Sequence, residues 1–259
     1  MSAGREIGII ATSRDLVLLR TLAVTRVLDV DQVSVIGGFT SLRRANRRLL
    51  KLVRAGFLKR WFVGTVSGGQ KALYGLSAQG ATAIGESTQG LIAWQQDSLV
   101  TGNQFLAHQQ SVNAAFIQTR FRPLPSGVSC ERWTTFREPF SPSVPLMPDG
   151  YFELMYQGAI YPMFLEVDLG TESSRVWKRK VELYLKFALG GEFERMFHEK
   201  RFRVLVILHS ERRMEGLRKV IAKRTEKLFW FSTQDDVGRE GLCSSLWLRP
   251  TGAARIPLL

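Results

Sequence analysis

Three acidic side chains and a nearby lysine are the residues of this chain whose types and spacing can do chemistry. Asp149 stands in Met-Pro-Asp-Gly, a turn sequence just ahead of a run with strand character. Glu166 and Asp168 close a second such run, Phe-Leu-Glu-Val-Asp. They alternate across Val167, so a strand places both on one face. A hairpin pairing the two runs brings Asp149 beside that strand end. Converging carboxylates repel one another unless a positive charge lies between them, and a divalent ion, Mg²⁺ or Mn²⁺, meets that need. Such an ion can position and activate a water for attack on a phosphodiester while a lysine steadies the developing charge. Lys178 and Lys180, in Trp-Lys-Arg-Lys-Val-Glu-Leu-Tyr, are placed to supply the lysine. Pro-Asp-Gly is also a common turn, and acids at strand ends are common surface features, so spacing alone leaves a purely structural role open.

The elements that must position these groups are legible as an α/β alternation. A helix is expected over 104–120, a strand over 128–136 and a Pro/Ser-rich loop over 139–148. A hairpin of 151–156 and 160–168 turns at Gln157-Gly158. A helix over 173–189 follows, then an apolar strand over 203–209, a helix over 214–226, and closing strands over 228–232 and 242–248. Together these predict a domain over 104–259 with a mixed sheet.

The first third of the chain has a different pattern and a different charge. Residues 1–80 hold 13 Lys/Arg against 4 Asp/Glu, the remainder 23 against 19, within an overall net charge of +13. Helices are expected over 14–26, 31–36 and 41–55, the last capped by Thr40 or Ser41 and stopped at Gly56. Strands over 58–63 and 71–76 form a hairpin. This order predicts a winged helix-turn-helix over 1–85, joined by a Gln-, Gly- and Ser-rich connector over 86–103. In the third helix, Leu42, Ala45, Leu49, Leu52 and Val53 form an apolar stripe, while Arg43, Arg44, Arg47, Arg48, Lys51 and Arg54 take the remaining surface. No acid lies between Ser41 and Arg60. Like charges so dense repel one another and make sense against a polyanion, so double-stranded DNA is the expected partner. Ser41, Arg43, Arg44, Arg47 and Arg48 are expected in the major groove, with Lys59, Arg60 or Lys71 on flanking phosphates and Lys51 a further DNA-binding residue.

Several function classes fall away. The only two cysteines, Cys130 and Cys243, have no CxxC or CxxH neighbour, which argues against a zinc or disulfide framework. No GxxxxGK loop points to an NTPase. With no apolar run of membrane-span length and no signal-peptide pattern, a cytoplasmic protein that does not engage membranes is expected.

The spaced residues also carry a resemblance. The pattern of a winged helix, His108 with Val112-Asn113, Pro148-Asp149-Gly150, Glu166-Val-Asp-Leu-Gly-Thr-Glu172, and Lys180 with Tyr184 resembles the replication-relaxation proteins of bacterial plasmids and mobile elements. The C-terminal half is similar to the PD-(D/E)XK nuclease fold, as in the related mobilisation-type C plasmid relaxases. That resemblance implies Asp149 and Glu166 as ligands of Mg²⁺ or Mn²⁺ and Lys180 as the catalytic lysine; Asp168, on the face of Glu166, is a further candidate ligand from its spacing. Two departures stand out. Asp168 occupies the lysine position of the usual Glu-x-Lys, and Asn113 stands where many such nucleases have a helix glutamate, with Glu131 a substitute. The expected function is a DNA-binding protein of a plasmid or mobile element that nicks DNA as a metal-dependent endonuclease or relaxase in replication or mobilisation. Other replication or transfer proteins, or a second copy in a homodimer, are its expected protein partners. The alternative is a non-enzymatic replication accessory factor or transcriptional regulator whose nuclease-like domain has degenerated.

Overall fold

Thr12 opens the first helix, α1 (Ser13–Thr25), through a capping box. The Asp15 amide donates to the Thr12 hydroxyl, and the Asp15 carboxylate accepts from the Thr12 amide at 2.7 Å. The computed structural model describes residues 12–65, 68–101 and 104–259. The chain divides into two units after Asn113.

In the first unit, α1 leads through β1 (Leu28–Asp29) to α2 (Val30–Ile36), capped by Asp29, and then to α3 (Leu42–Arg54), capped by Ser41. β2 (Leu58–Gly64) and β3 (Gln70–Leu76) pair antiparallel as the expected hairpin, with β1 on the free side of β3. Ser77 caps a short α4 (Ala78–Ala83). Leu18, Leu19 and Leu22 of α1, Val33 of α2, Ala45, Leu49 and Leu52 of α3, and Leu58 of the hairpin are buried, while Leu73 of β3 packs in a cluster with Val27, Trp61, Ile92 and Val100. Each buried leucine contributes roughly 1.5–3 kcal/mol.

Two local expectations change. Leu42, counted in the apolar stripe, is 47% exposed at the first position of α3. The stretch 86–103, read as a connector, contributes β4 (Leu99–Val100), which adds to β2 in parallel. Trp94 packs edge-on against buried Trp61 with ring centroids 5.4 Å apart, and its carbonyl accepts from Trp61 Nε1 at 3.1 Å. A few isolated apolar residues hold this segment down, and isolated residues have no period to detect.

The boundary between the units falls within α5 (Gln104–Arg120), the helix expected there. The second unit is a five-stranded mixed sheet in the order β5 (Val128–Thr134), β6 (Gly150–Tyr156), β7 (Ala159–Asp168), β8 (Arg203–Leu208), β9 (Phe229–Thr233). β5, β6 and β7 run antiparallel; β7, β8 and β9 run parallel through α6 (Ser174–Leu189) and α8 (Glu211–Ala222). The β6–β7 turn has Gln157 at φ 51° and Gly158 at φ 77°, the two left-handed residues that suit the twist of a tight hairpin. Two short helices escape the sequence pattern, α7 (Glu192–Phe197) and α9 (Gln234–Glu240). The strand expected over 242–248 shrinks to two isolated bridges, Leu248 with Phe231 and Trp247 with Ile256, because Ser244 turns back to the Gly241 carbonyl.

The core beneath α6, α7 and α8 is aromatic: Phe164, Phe187, Phe193, Phe202 and Tyr184 are all buried, and Phe164 meets Phe202 edge-to-face at 5.0 Å. β7 lies at the centre of the sheet and is buried from Pro162 to Asp168. Two carboxylates therefore end a strand with no access to bulk water, and each needs a partner.

Candidate nucleic-acid interface and acidic centre

Ser41 sets the start of α3, its hydroxyl accepting from the Arg44 amide at 3.4 Å. With Ala45, Leu49 and Leu52 turned inward, the 3.6-residue period turns Arg43, Arg44, Arg47, Lys51 and Arg54 outward, and all five are exposed. Arg44 touches the Thr40 hydroxyl at 2.9 Å. Among the described residues no carboxylate pairs with any of the five.

The other expected contacts divide. Arg48 turns towards α1, where its Nε donates to Asp15 Oδ1 at 2.8 Å and its Nη2 bridges Oδ2. Burial pushes the Asp15 carboxyl up, but the hydrogen bonds from Arg48 and Thr12 outweigh it and hold Asp15 below its ordinary value. Arg60 pairs with Asp97 at 2.6 Å and lies over the Phe62 ring. Lys71 is held by Asp29 at 2.8 Å and Asp31 at 3.0 Å. Lys59 is half-buried on β2, with no ion pair among the described residues. The continuous basic surface is thus the outer face of α3, and three of the cations read with it have local partners.

In the second unit the hairpin brings Asp149 to β7. Its amide donates to the Leu165 carbonyl at 3.1 Å, and its Oδ2 accepts from the Val167 amide at 2.7 Å. Glu166 is 1% exposed; Tyr184 donates to its Oε1 at 2.6 Å and Lys180 Nζ to its Oε2 at 2.8 Å. Lys180 and Tyr184 are four residues apart, so one face of α6 presents both. Burial pushes the Glu166 carboxyl up to about 7, Lys180 opposing and the Asp149 charge adding to the rise. Lys180 loses some stabilisation by burial, but Glu166 and Glu172, the latter also at 2.8 Å, raise it above its ordinary value. It sits at the rim, 22% exposed, and stays charged, whereas Glu166 carries the full desolvation cost. Tyr184 is fully buried, and burial beside Glu166 raises its phenol, which makes it a donor to the carboxylate rather than a nucleophile.

Asp168 shares the face of Glu166, as the alternation requires, but it has separate partners. Gly170 N donates to its Oδ1 at 2.5 Å, while Trp177 Nε1 and Arg213 Nη2 each donate to its Oδ2 at 2.6 Å. Lys178 is exposed on α6 and outside this network. Asn113 is buried in the first unit, donating to the Val27 carbonyl at 2.5 Å, and Glu131 is exposed on β5, two strands from β7. Glu131 does not join Asp149 and Glu166. Among the described residues, no group of three His, Cys, Asp or Glu side chains is arranged to hold a metal ion.

Sequence reasoning missed Arg213, Trp177 and Glu172 as members of this centre. Trp177 and Glu172 were within reach of the pattern, since both flank the start of α6 next to Lys180; Arg213 lies 45 residues from Asp168 and gave no signal. Among the described residues no helix is long and apolar enough to cross a membrane. No curated protein and no solved structure matches the chain. A model of the replication-relaxation family matches residues 19–225, which takes in α3, Asp149, Glu166 and Lys180, and the chain belongs to that family.

Proposed function

We propose that this protein binds duplex DNA through α3, in a winged-helix manner, and acts in the replication or mobilisation of a plasmid or other mobile element. The observation that carries this reading is the outer face of α3: Arg43, Arg44, Arg47, Lys51 and Arg54 are exposed and lack carboxylate partners among the described residues. Five cations gathered on one helix face repel one another, and a phosphate backbone relieves that repulsion while releasing its own counterions. Exposed Leu42 at the start of the helix adds an apolar group suited to a thymine methyl. The β2–β3 hairpin takes the part of the wing, with Lys59 beside the backbone; Arg48, Arg60 and Lys71 are each engaged by carboxylates of the protein itself. Titrating the full chain into labelled duplex at several salt concentrations tests this. Each phosphate contacted adds roughly −0.9 to the slope of log affinity against log salt, and a flat dependence would sink the reading.

A second reading concerns the acidic centre, and the pairing of Asp149 with Glu166 and Lys180 favours it. Two carboxylates close enough for one charge to raise the other's pKa are donors suited to Mg²⁺ or Mn²⁺, which takes one or two carboxylates and keeps several waters. Asp149 and Glu166 would hold the ion; Asp168, whose charge is already met by Arg213 with Trp177 and Gly170 as further donors, would not. Bound there, the ion would supply an activated water for phosphodiester hydrolysis in a PD-(D/E)XK-like centre. Lys180 would leave Glu166 Oε2 to steady phosphate charge, and Tyr184 would keep Glu166 in place through Oε1. The test is nicking of supercoiled plasmid with Mn²⁺ against a chelator control.

A further inference from the structure

At the opposite end of the second sheet from Glu166, where the parallel strands β7, β8 and β9 begin, lies a cleft of about 730 Å³. That volume is in the range of small-molecule sites. Lys200, Arg201, Arg203, Lys227 and Arg249 line it, and no Asp or Glu does. Among the described residues none of these five is in an ion pair. The two arginines are built in. Arg203 lies over the Trp230 ring at 4.8 Å and over Tyr161 at 5.3 Å, and Arg249 lies over Trp230 at 4.6 Å. Backbone carbonyls hold them from behind, Leu258 O accepting from Arg203 Nη1 at 2.7 Å and Glu226 O from Arg249 Nη2 at 3.0 Å. Two guanidiniums are thus fixed around one indole, with three flexible cations at the rim.

We propose that this cleft is a phosphate-binding site, separate from both α3 and the acidic centre, for a single-stranded nucleic-acid backbone or a free phosphate-bearing ligand. A planar guanidinium fork matches phosphate oxygens, and stacking on an aromatic ring leaves its N–H edge available. Five like charges without a counter-charge are an electrostatic cost to the folded unit that an anion of several charges removes. Burial holds both Arg203 and Arg249 below their ordinary pKa, and the Arg249 charge adds to the effect at Arg203. Buried Trp230 Nε1 and Arg249 Nε lack acceptors among the described residues, so the local donor supply exceeds the acceptors present. Trp230 is 6% exposed and flanked by arginine, which favours phosphate recognition over base stacking.

The experiment uses the full chain carrying Arg43→Ala, Arg44→Ala and Arg47→Ala, exposed changes that silence the α3 face. Calorimetry measures binding of two probes, a short single-stranded oligonucleotide and inorganic tripolyphosphate. At least one should saturate at one site per chain. Charge reversal of two exposed rim residues, Lys200→Glu with Lys227→Glu, should weaken it by about tenfold or more at an unchanged melting temperature. Binding of the oligonucleotide identifies a strand as the ligand; binding of tripolyphosphate alone identifies a free phosphate compound. If neither probe saturates, or if the double variant binds as its parent does, the proposal is overturned. Arg203→Met serves as an internal check: should it unfold the unit, the rim pair still decides the matter.

Discussion

Arg48 Nε donates to Asp15 Oδ1 at 2.8 Å, joining α3 to the capping box of α1 across 33 residues of sequence. Asp15 is 1% exposed, so the pair belongs to the packing of the first unit. Arg48→Ala should therefore destabilise the protein by roughly 2–3 kcal/mol, the scale of a lost charged hydrogen bond with a buried partner. Arg47→Ala, one residue earlier and exposed, should change stability by roughly 0.5 kcal/mol or less. Chemical denaturation of the two variants checks the contrast; equal stabilities would remove the structural role of Arg48.

The same pair sets a pH dependence. Asp15 is held below its ordinary pKa in the folded state, so its contribution is present above the unfolded value of 3.8 and is lost as pH falls through the folded value. Stability of the parent should drop more steeply on acidification than that of Arg48→Ala, in which the depression is relieved. Melting temperatures from neutral pH down to acid would show it, and parallel curves would contradict it.

Asp168 supplies a second structural test. Its side chain is fully buried and held by Arg213, so Arg213→Ala leaves a carboxylate without its counter-charge. A loss of roughly 3–5 kcal/mol is expected. Because Asp168 is not among the proposed metal ligands, Asp168→Asn should leave any Mn²⁺ binding unchanged; calorimetric loss of binding would make it a ligand after all.

Asp149→Ala and Glu166→Ala should each abolish Mn²⁺-dependent nicking of supercoiled plasmid while duplex affinity stays within about twofold of the parent, since the proposed DNA contacts lie on α3. Lys180→Met should lower nicking without removing the metal. A parent with neither nicking nor metal binding would remove the metal-centre reading and leave the DNA-binding proposal to stand by itself.

Much of this was legible because periodic features report themselves. The α3 stripe, the hairpin turn at Gln157-Gly158, the shared face of Glu166 and Asp168, and the four-residue spacing of Lys180 and Tyr184 all follow from local geometry. What stayed hidden depended on distance or brevity. Nothing near Arg48 or Asp168 announces Asp15 or Arg213, which are 33 and 45 residues away. β4 is two residues long, and it and the segment ahead of it are anchored by a few scattered side chains, Ile92, Trp94 and Val100, too little for a hydrophobic period.

The central claim is that the outer face of α3 holds duplex DNA, and fluorescence anisotropy with a labelled duplex addresses it most directly. The full chain carrying Arg43→Ala, Arg44→Ala and Arg47→Ala should keep the parent's melting temperature, because none of the three has a carboxylate partner among the described residues. Its affinity should fall by about a hundredfold or more at low salt, and its salt slope should shrink by roughly 2–3, close to one unit for each phosphate contact removed. Parent affinity with an unchanged slope in the triple variant would contradict the account.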